Sequence, residues 1–258
     1  MKSQVISEQP QHQWVVLGRD SERNPTVIDT NEYAIISHGQ AMLLDPGGIE
    51  IFPNVLAELS RYVPIKNIRT LFASHQDPDI ISSLPIWLDL VPDVKVHCSW
   101  LWASFITHFA AGCKIETIPD EGKMIRIGEL GLEVQAIPAH YCHSSGNFSI
   151  FDPHTNMLFS GDIGAALLPS HEHDQFVGDF DEHIQYMKAF HQRWMPSTAA
   201  LRAWVARVRP LNPTMICPQH GSIFSGDNVG KFLDWLEGLE VGKWEIKKPA
   251  ESRETALV

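Results

Sequence analysis

Four short apolar runs in this chain each lead to a histidine or an aspartate, and that pattern restricts how it can fold. Ile68-Arg69-Thr70-Leu71-Phe72-Ala73-Ser74 runs directly into His75-Gln76-Asp77-Pro78-Asp79. Leu132-Glu133-Val134-Gln135-Ala136-Ile137 leads to His143, Met157-Leu158-Phe159-Ser160-Gly161 to Asp162, and Thr214-Met215-Ile216-Cys217 to His220. Runs of this kind read as buried strands, and in an open α/β architecture sites gather outside the carboxyl ends of strands. A loop leaving a sheet has its side chains free of the core, so groups in it can turn toward one point. A lone histidine among the thirteen here carries no such weight, because most are exposed or satisfied by ordinary hydrogen bonds. The set of four strand ends is what points to a metal site.

Three imidazoles and three carboxylates are six donors, enough for two cations if one carboxylate bridges them at the roughly 3.5–4 Å separation of two-metal sites. The mixed nitrogen and oxygen character, without cysteine, suits iron, manganese or zinc and disfavours copper.

These residues resemble the metallo-β-lactamase superfamily, whose metal loop reads His-x-His-x-Asp-His, and more closely its flavodiiron branch, in which the second His is a carboxylate. Asp77 holds that carboxylate position here. Asn31-Glu32-Tyr33-Ala34-Ile35-Ile36 and Leu43-Leu44-Asp45-Pro46-Gly47-Gly48 are similar to the opening hairpin of that fold. His143-Ser144-Ser145-Gly146-Asn147, Ser160-Gly161-Asp162 and Pro218-Gln219-His220-Gly221-Ser222 match its later motifs, and the resemblance spans about residues 12 to 235. Within the branch, Ser74-His75-Gln76-Asp77-Pro78-Asp79-Ile80 resembles the stand-alone oxygen-binding diiron proteins. The resemblance implies an α/β fold of the metallo-β-lactamase αββα sandwich type. It also implies two iron ions, with zinc or manganese as alternatives. His75, Asp77 and His143 would serve the first, Asp162 would bridge, and Asp79 and His220 would serve the second.

Two positions depart from the branch. Its enzymes usually have Glu at position 77, one methylene longer than this Asp, and His where this chain has Ile80. An isoleucine cannot ligate, so the second metal keeps only Asp79, Asp162 and His220, with positions open to water or a diatomic molecule. Ile80 is also expected to begin a helix and pack inward, keeping the site dry. His140 competes with His143 and is less favoured, because His143 stands the expected distance before the Asp152-Pro153 turn. Tyr141 and His140 are outer-sphere candidates. His171-Glu172-His173-Asp174, after Pro169-Ser170, reads as a solvated loop.

The functional expectation is a diiron protein that binds dioxygen, as a sensor or slow oxygen-reactive protein. The alternatives are an O₂ or NO reductase core served by a separate reductase, and a dinuclear zinc hydrolase of esters, thioesters or lactones. Hydrolases of the fold usually keep imidazole at positions 77 and 80, which counts against the last. The flavodoxin domain that brings flavin to flavodiiron reductases is not expected in this chain, so no bound flavin is expected either. An external reductase or a signalling protein is the implied partner, and the resemblance implies a homodimer. The aromatic segment Trp100-Leu101-Trp102-Ala103-Ser104-Phe105 is the one local feature in favour of pairing, and it reads equally well as core.

Composition is consistent with this reading. Thirty-one acids against 20 bases give a formal charge of −11, which argues against nucleic acid and anionic membranes as partners. The four cysteines, Cys98, Cys113, Cys142 and Cys217, lack C-x-x-C spacing and read as reduced thiols. Polar residues 1–13 lack the apolar stretch of a secretory signal, so a cytoplasmic protein is expected. With 258 residues and 44% hydrophobic content, one domain over 1–246 is favoured, followed by a flexible tail at 247–258. Strands are expected near 12–18, 32–37, 41–45, 68–74, 94–97, 124–137, 147–151, 157–160 and 214–217. Helices are expected near 51–62, 80–91, 99–112, 180–192, 197–207 and 227–240. In the last helix Val229, Phe232, Leu233, Leu236 and Leu239 form the predicted core face.

Overall fold

The computed structural model describes residues 1–19, 27–109, 112–169 and 174–242. The expected tail at 247–258 lies outside the described residues, as do His171, Glu172 and His173 of the acidic histidine loop. The first sheet has seven strands in sequential order: β1 (Ser3–Gln9), β2 (His12–Leu17), β3 (Glu32–Ser37), β4 (Gln40–Leu44), β5 (Ile68–Phe72), β6 (Lys95–Ser99) and β7 (Ile115–Ile118). The first four pair antiparallel and the last four parallel. The parallel half is linked by helices α1 (Phe52–Leu59), α2 (Pro78–Ile81), α3 (Leu84–Leu90) and α4 (Trp100–Ile106). The second sheet contains β8 (Lys123–Arg126), β9 (Glu133–Pro138), β10 (Phe148–Asp152), β11 (Met157–Gly161), β12 (Met215–Pro218) and β13 (Phe224–Ser225), with β11 and β12 parallel. Helices α5 (Phe180–Trp194), α6 (Thr198–Val208) and α7 (Asp227–Gly238) cover its outer face.

Strand alternation sorts the apolar side chains into layers. Trp14, Val16, Tyr33, Ile35, Met42 and Leu44 point between the sheets, where they meet Phe148, Ile150, Met157 and Phe159. Val15, Leu17, Ala34, Ile36, Ala41 and Leu43 point outward under the first group of helices. Strands buried on both faces are continuous apolar runs, which is why they were legible. Val229, Phe232, Leu233 and Leu236 of α7 lie in the outer core of the second sheet, and Leu239 just beyond the helix joins them. This is the αββα sandwich.

Four expectations change. The 124–137 run is two strands, because Gly128 at φ +64° and Gly131, whose N–H bonds the Ile127 carbonyl, turn the chain between them. The 80–91 helix is α2 and α3: Pro78 opens the first two residues early, and Pro85, suited to a first turn, restarts the second. The polar edge strand β1, the edge strand β7 and the two-residue β13 carry too little periodicity to be seen. The helix expected over 99–112 ends at Ile106; in it Trp100 and Phe105 are exposed, Ile106 is core, and the other side chains are partly covered or exposed. The four cysteines are free thiols, three of them buried. Among the described residues no helix is long and apolar enough to cross a membrane.

One polar junction locks the sheets face to face. Asp152 at the end of β10 receives Trp14 Nε1 at 2.7 Å and faces His12 Nε2 at 2.6 Å, both on β2, and it also accepts from Thr155 and the His154 N–H. All three linked side chains of Asp152, His12 and Trp14 are buried. Asp152→Ala is expected to leave His12 and Trp14 unpaired in the core and to cost roughly 3–5 kcal/mol, measurable by urea unfolding.

Candidate metal centre

Each strand end named above delivers its side chain to one place. β5 ends at Phe72, and two residues later Ser74 is fastened to Asp45 at the end of β4: its N–H donates to Asp45 Oδ1 and its hydroxyl to Oδ2, both at 2.7 Å. Ser74 Oγ lies 2.9 Å from His75 Nδ1, so accepting that N–H leaves His75 Nε2 for the site. His220 is set the same way, its Nδ1 donating to the Asp29 carbonyl at 2.7 Å. Asp162 follows Gly161 at φ +59°, where an added Cβ would sit 3.3 Å from Ser74 Oγ. Glycine there permits both the left-handed turn and the close approach of the two loops.

His143 adopts φ +83°, rare for a side-chain-bearing residue, with Tyr141 at +60° two positions earlier. This tight turn is held by the Tyr141 N–H on the Ser144 carbonyl and by Asn147 Nδ2 on the Cys142 carbonyl. It aims His143 into the cluster. His140 points away to the Asp120 carbonyl at 2.9 Å and packs against Phe148, so it is not an outer-sphere group of the site. Tyr141 is more than half exposed. Ile80 is fully buried, in the apolar core beneath α1 to α3.

The six donors form two groups joined at Asp162. His75 Nε2 and His143 Nε2 each lie 3.7 Å from Asp162 Oδ2, and Asp77 Oδ2 lies 3.5 Å from His75 Nε2 and 2.9 Å from His143 Nε2. On the other side, His220 Nε2 is 3.5 Å from Asp162 Oδ1 and 3.4 Å from Asp79 Oδ2. The shorter Asp77 therefore reaches the histidine pair directly. His75 Nε2 and Asp162 Oδ1 are buried without a hydrogen-bond partner, although satisfied buried polar atoms are the rule. One orphaned atom lies on each side of the cluster, His75 Nε2 on the first and Asp162 Oδ1 on the second, as metal ligands would, and His75, His143 and Asp162 are close enough to hold an ion.

The charges agree. Burial alone would strip the proton from His75, but Asp162, then Asp77 and Asp45, hold its pKa up at about 9. Burial works against ionised Asp162 and Asp77, yet the surrounding histidines keep both well below the usual carboxylate range. Burial likewise opposes a charged His220, and Asp162 and Asp79 push it well above the usual imidazole value. Asp77 and Asp162 thus favour their ionised form, and the cluster as a whole favours positive charge at its centre.

Several groups around the six were not singled out from sequence. Gln219 Nε2 donates to Asp79 Oδ2 at 3.3 Å, and Gln76 links Asp77 to the Ser144 hydroxyl. Trp194 and Phe190 of α5 wall the cluster, with ring centroids 5.2 and 6.4 Å from His143. Helical spacing alone marks them as core. His191 of α5 donates from Nδ1 to the Met187 carbonyl and accepts the Gly164 N–H at Nε2, 3.0 Å, anchoring the turn after Asp162.

Burial lowers the His191 pKa to about 4, the Met187 carbonyl and Asp162 opposing it. An imidazole depressed from 6.5 stays neutral while the unfolded chain takes up a proton, so stability is lost as pH falls from about 6.5 to about 4. His191→Gln is expected to flatten that part of the stability profile, read by chemical unfolding across pH 4–7. An unchanged slope would contradict this role.

The sequence model of a family described as "ODP family beta lactamase" matches residues 28–221. A structure described as the apo state of the chemotaxis sensor ODP from T. denticola is 38% identical, with TM-score 0.84, covering 93% of this chain and 96% of that one. A structure described as a peroxy diiron species of chemotaxis sensor ODP is also 38% identical, with TM-score 0.83 and coverages of 94% and 97%. The flavodiiron protein from Giardia intestinalis shares the fold at 16% identity and TM-score 0.77, covering 91% of this chain and 58% of that one. No curated protein sequence matches significantly. The metal loop, the sandwich and a match over residues 28–221 agree: the chain belongs to the ODP family of metallo-β-lactamase-fold proteins.

Proposed function

We propose that this protein is an oxygen-binding diiron sensor. His75, Asp77 and His143 would hold the first iron, Asp79 and His220 the second, and Asp162 would serve both. The observation that carries the reading is the division of Asp162, with Oδ2 facing the His75–His143 pair and Oδ1 facing His220. When bound, the two irons supply electrons to dioxygen. The protein's own part is to set the donors and limit water. Ser74 and the Asp29 carbonyl fix the ring nitrogens of His75 and His220, while Gln76 and Gln219 hold the carboxylates of Asp77 and Asp79. Phe190 and Trp194 cover the side of His143.

Sensing is favoured over reduction because Ile80 withholds one donor that the flavodiiron reductases have, and because relatives 38% identical are described as chemotaxis sensors. A homodimer and a signalling partner belong to the same proposal. An O₂ or NO reductase fed by an external donor is the second reading, since the flavodiiron fold is shared.

Protein purified without air is expected to contain two irons per chain by elemental analysis. Two zinc ions and no iron would replace the reading with a hydrolase. After O₂ is added to the reduced protein, a coloured species decaying slowly is expected, whereas rapid multiple turnovers with a generic reductase would favour catalysis. Ile80→His is expected to change the decay rate about tenfold or more, on the scale of single groups around a metal. An unaltered rate would remove Ile80 from the mechanism.

A further inference from the structure

Glu32 is the first residue of β3 and the most anomalous polar group among the described residues outside the six. It is 1% exposed, and neither carboxyl oxygen has a hydrogen bond of acceptable geometry, although Thr30 and its own N–H lie nearby. A buried acid without a partner is strongly unfavourable and calls for an explanation. Its position supplies one. Glu32 Oε1 lies 3.3 Å from where a Cβ on Gly47 would sit, and the Gly47 N–H donates to the Ile80 carbonyl at 3.0 Å. The preceding residue, Asn31, is tied to the other metal-bearing loop: its N–H bonds the Gln219 carbonyl and its Nδ2 the Gly221 carbonyl. Glu32 thus sits between the turn that carries Ile80 and the loop that carries His220. Burial raises its pKa to about 8; Thr30, its own backbone and then His220 pull it down, and Asp29 pushes it up.

We propose that Glu32 provides the second metal with a carboxylate in place of the imidazole that Ile80 cannot supply. The inference rests on the two-metal reading and deepens it. Glutamate has two methylenes between backbone and carboxyl, and on β3 it alternates in step with Ala34 and Ile36, which share a core layer with Ile80, so a change of rotamer can turn it toward Asp79 and His220 while the backbone stays in the sheet. Binding a cation also removes the penalty of an unpaired buried acid. A carboxylate differs from imidazole in adding a negative charge, which suits hard oxygen-preferring metals.

The test is metal stoichiometry and affinity, independent of any oxygen chemistry. Wild type, Glu32→Gln and the double variant Glu32→Gln/Ile80→His are reconstituted anaerobically with ferrous iron, desalted, and titrated with a chelator. Wild type is expected to keep two metals. Glu32→Gln is expected to keep the first and to lose affinity for the second by about tenfold or more, and the double variant to regain it. Glu32→Gln is near-isosteric. Its metal-free form is expected to be at least as stable as wild type near pH 8, because an acid with raised pKa costs wild type stability as pH climbs from about 4.5 to about 8. Should Gln disturb folding, Glu32→Met carries the same expectation for the second metal. A wild type with two metals and a variant that binds both equally well would overturn the role of Glu32 alone. A wild type unable to hold two metals would overturn it together with the diiron reading.

Discussion

A single carboxylate shared between two sets of imidazoles is the interaction on which the site depends. Asp162 is almost fully buried, and burial disfavours its charged form, yet three histidines on three separate loops keep it ionised. Those histidines can be there only because β5, β9, β11 and β12 end at the same edge of the sandwich. Antiparallel hairpins alone would send alternate strands to opposite edges. The parallel pairs β4–β5–β6 and β11–β12 bring several carboxyl ends together, and the helices that cover the sheets are the connections such pairing requires. Fold and charge cluster are therefore one constraint.

The convergence was legible because it is written in strand ends. An apolar run marks where the chain is buried, and the first ionisable residue past it marks where the chain emerges, so His75, Asp162 and His220 stand out without any structure. His143 was harder, since it lies five residues past β9, and the preference for it over His140 came from family spacing. The structure gives the physical reason: a left-handed turn over residues 141–143 reverses the chain and presents alternate side chains to opposite sides. Sequence periodicity has no signal for such a turn when neither left-handed residue is glycine.

What was not legible is the set of groups that act through others. Asp45, Ser74, Gln76, Gln219 and His191 matter by one or two hydrogen bonds each, most of them with residues distant in sequence, which spacing does not encode. The missed strands have a different cause. β1 and β7 are edge strands with one partner, so their side chains are only half sorted between core and solvent, and alternation fades.

The two halves of the centre are unequal in a way that bears on what can approach them. On the first side, the partly exposed Trp194 backs His143, whereas Phe190 lies 6.4 Å from both His143 and His220 and walls both halves. On the second side, the residue following Asp79 is an isoleucine packed into the core, and Glu32, next to the Asn31 that ties β3 to the His220 loop, is buried. An alkyl group at position 80 supplies no donor, and its full burial leaves no room beside it for bulk water. On the diiron reading, the second half of the centre therefore has one imidazole fewer and a buried acid beside it, in surroundings that hold little bulk water, and such a setting suits a small uncharged ligand better than a charged one.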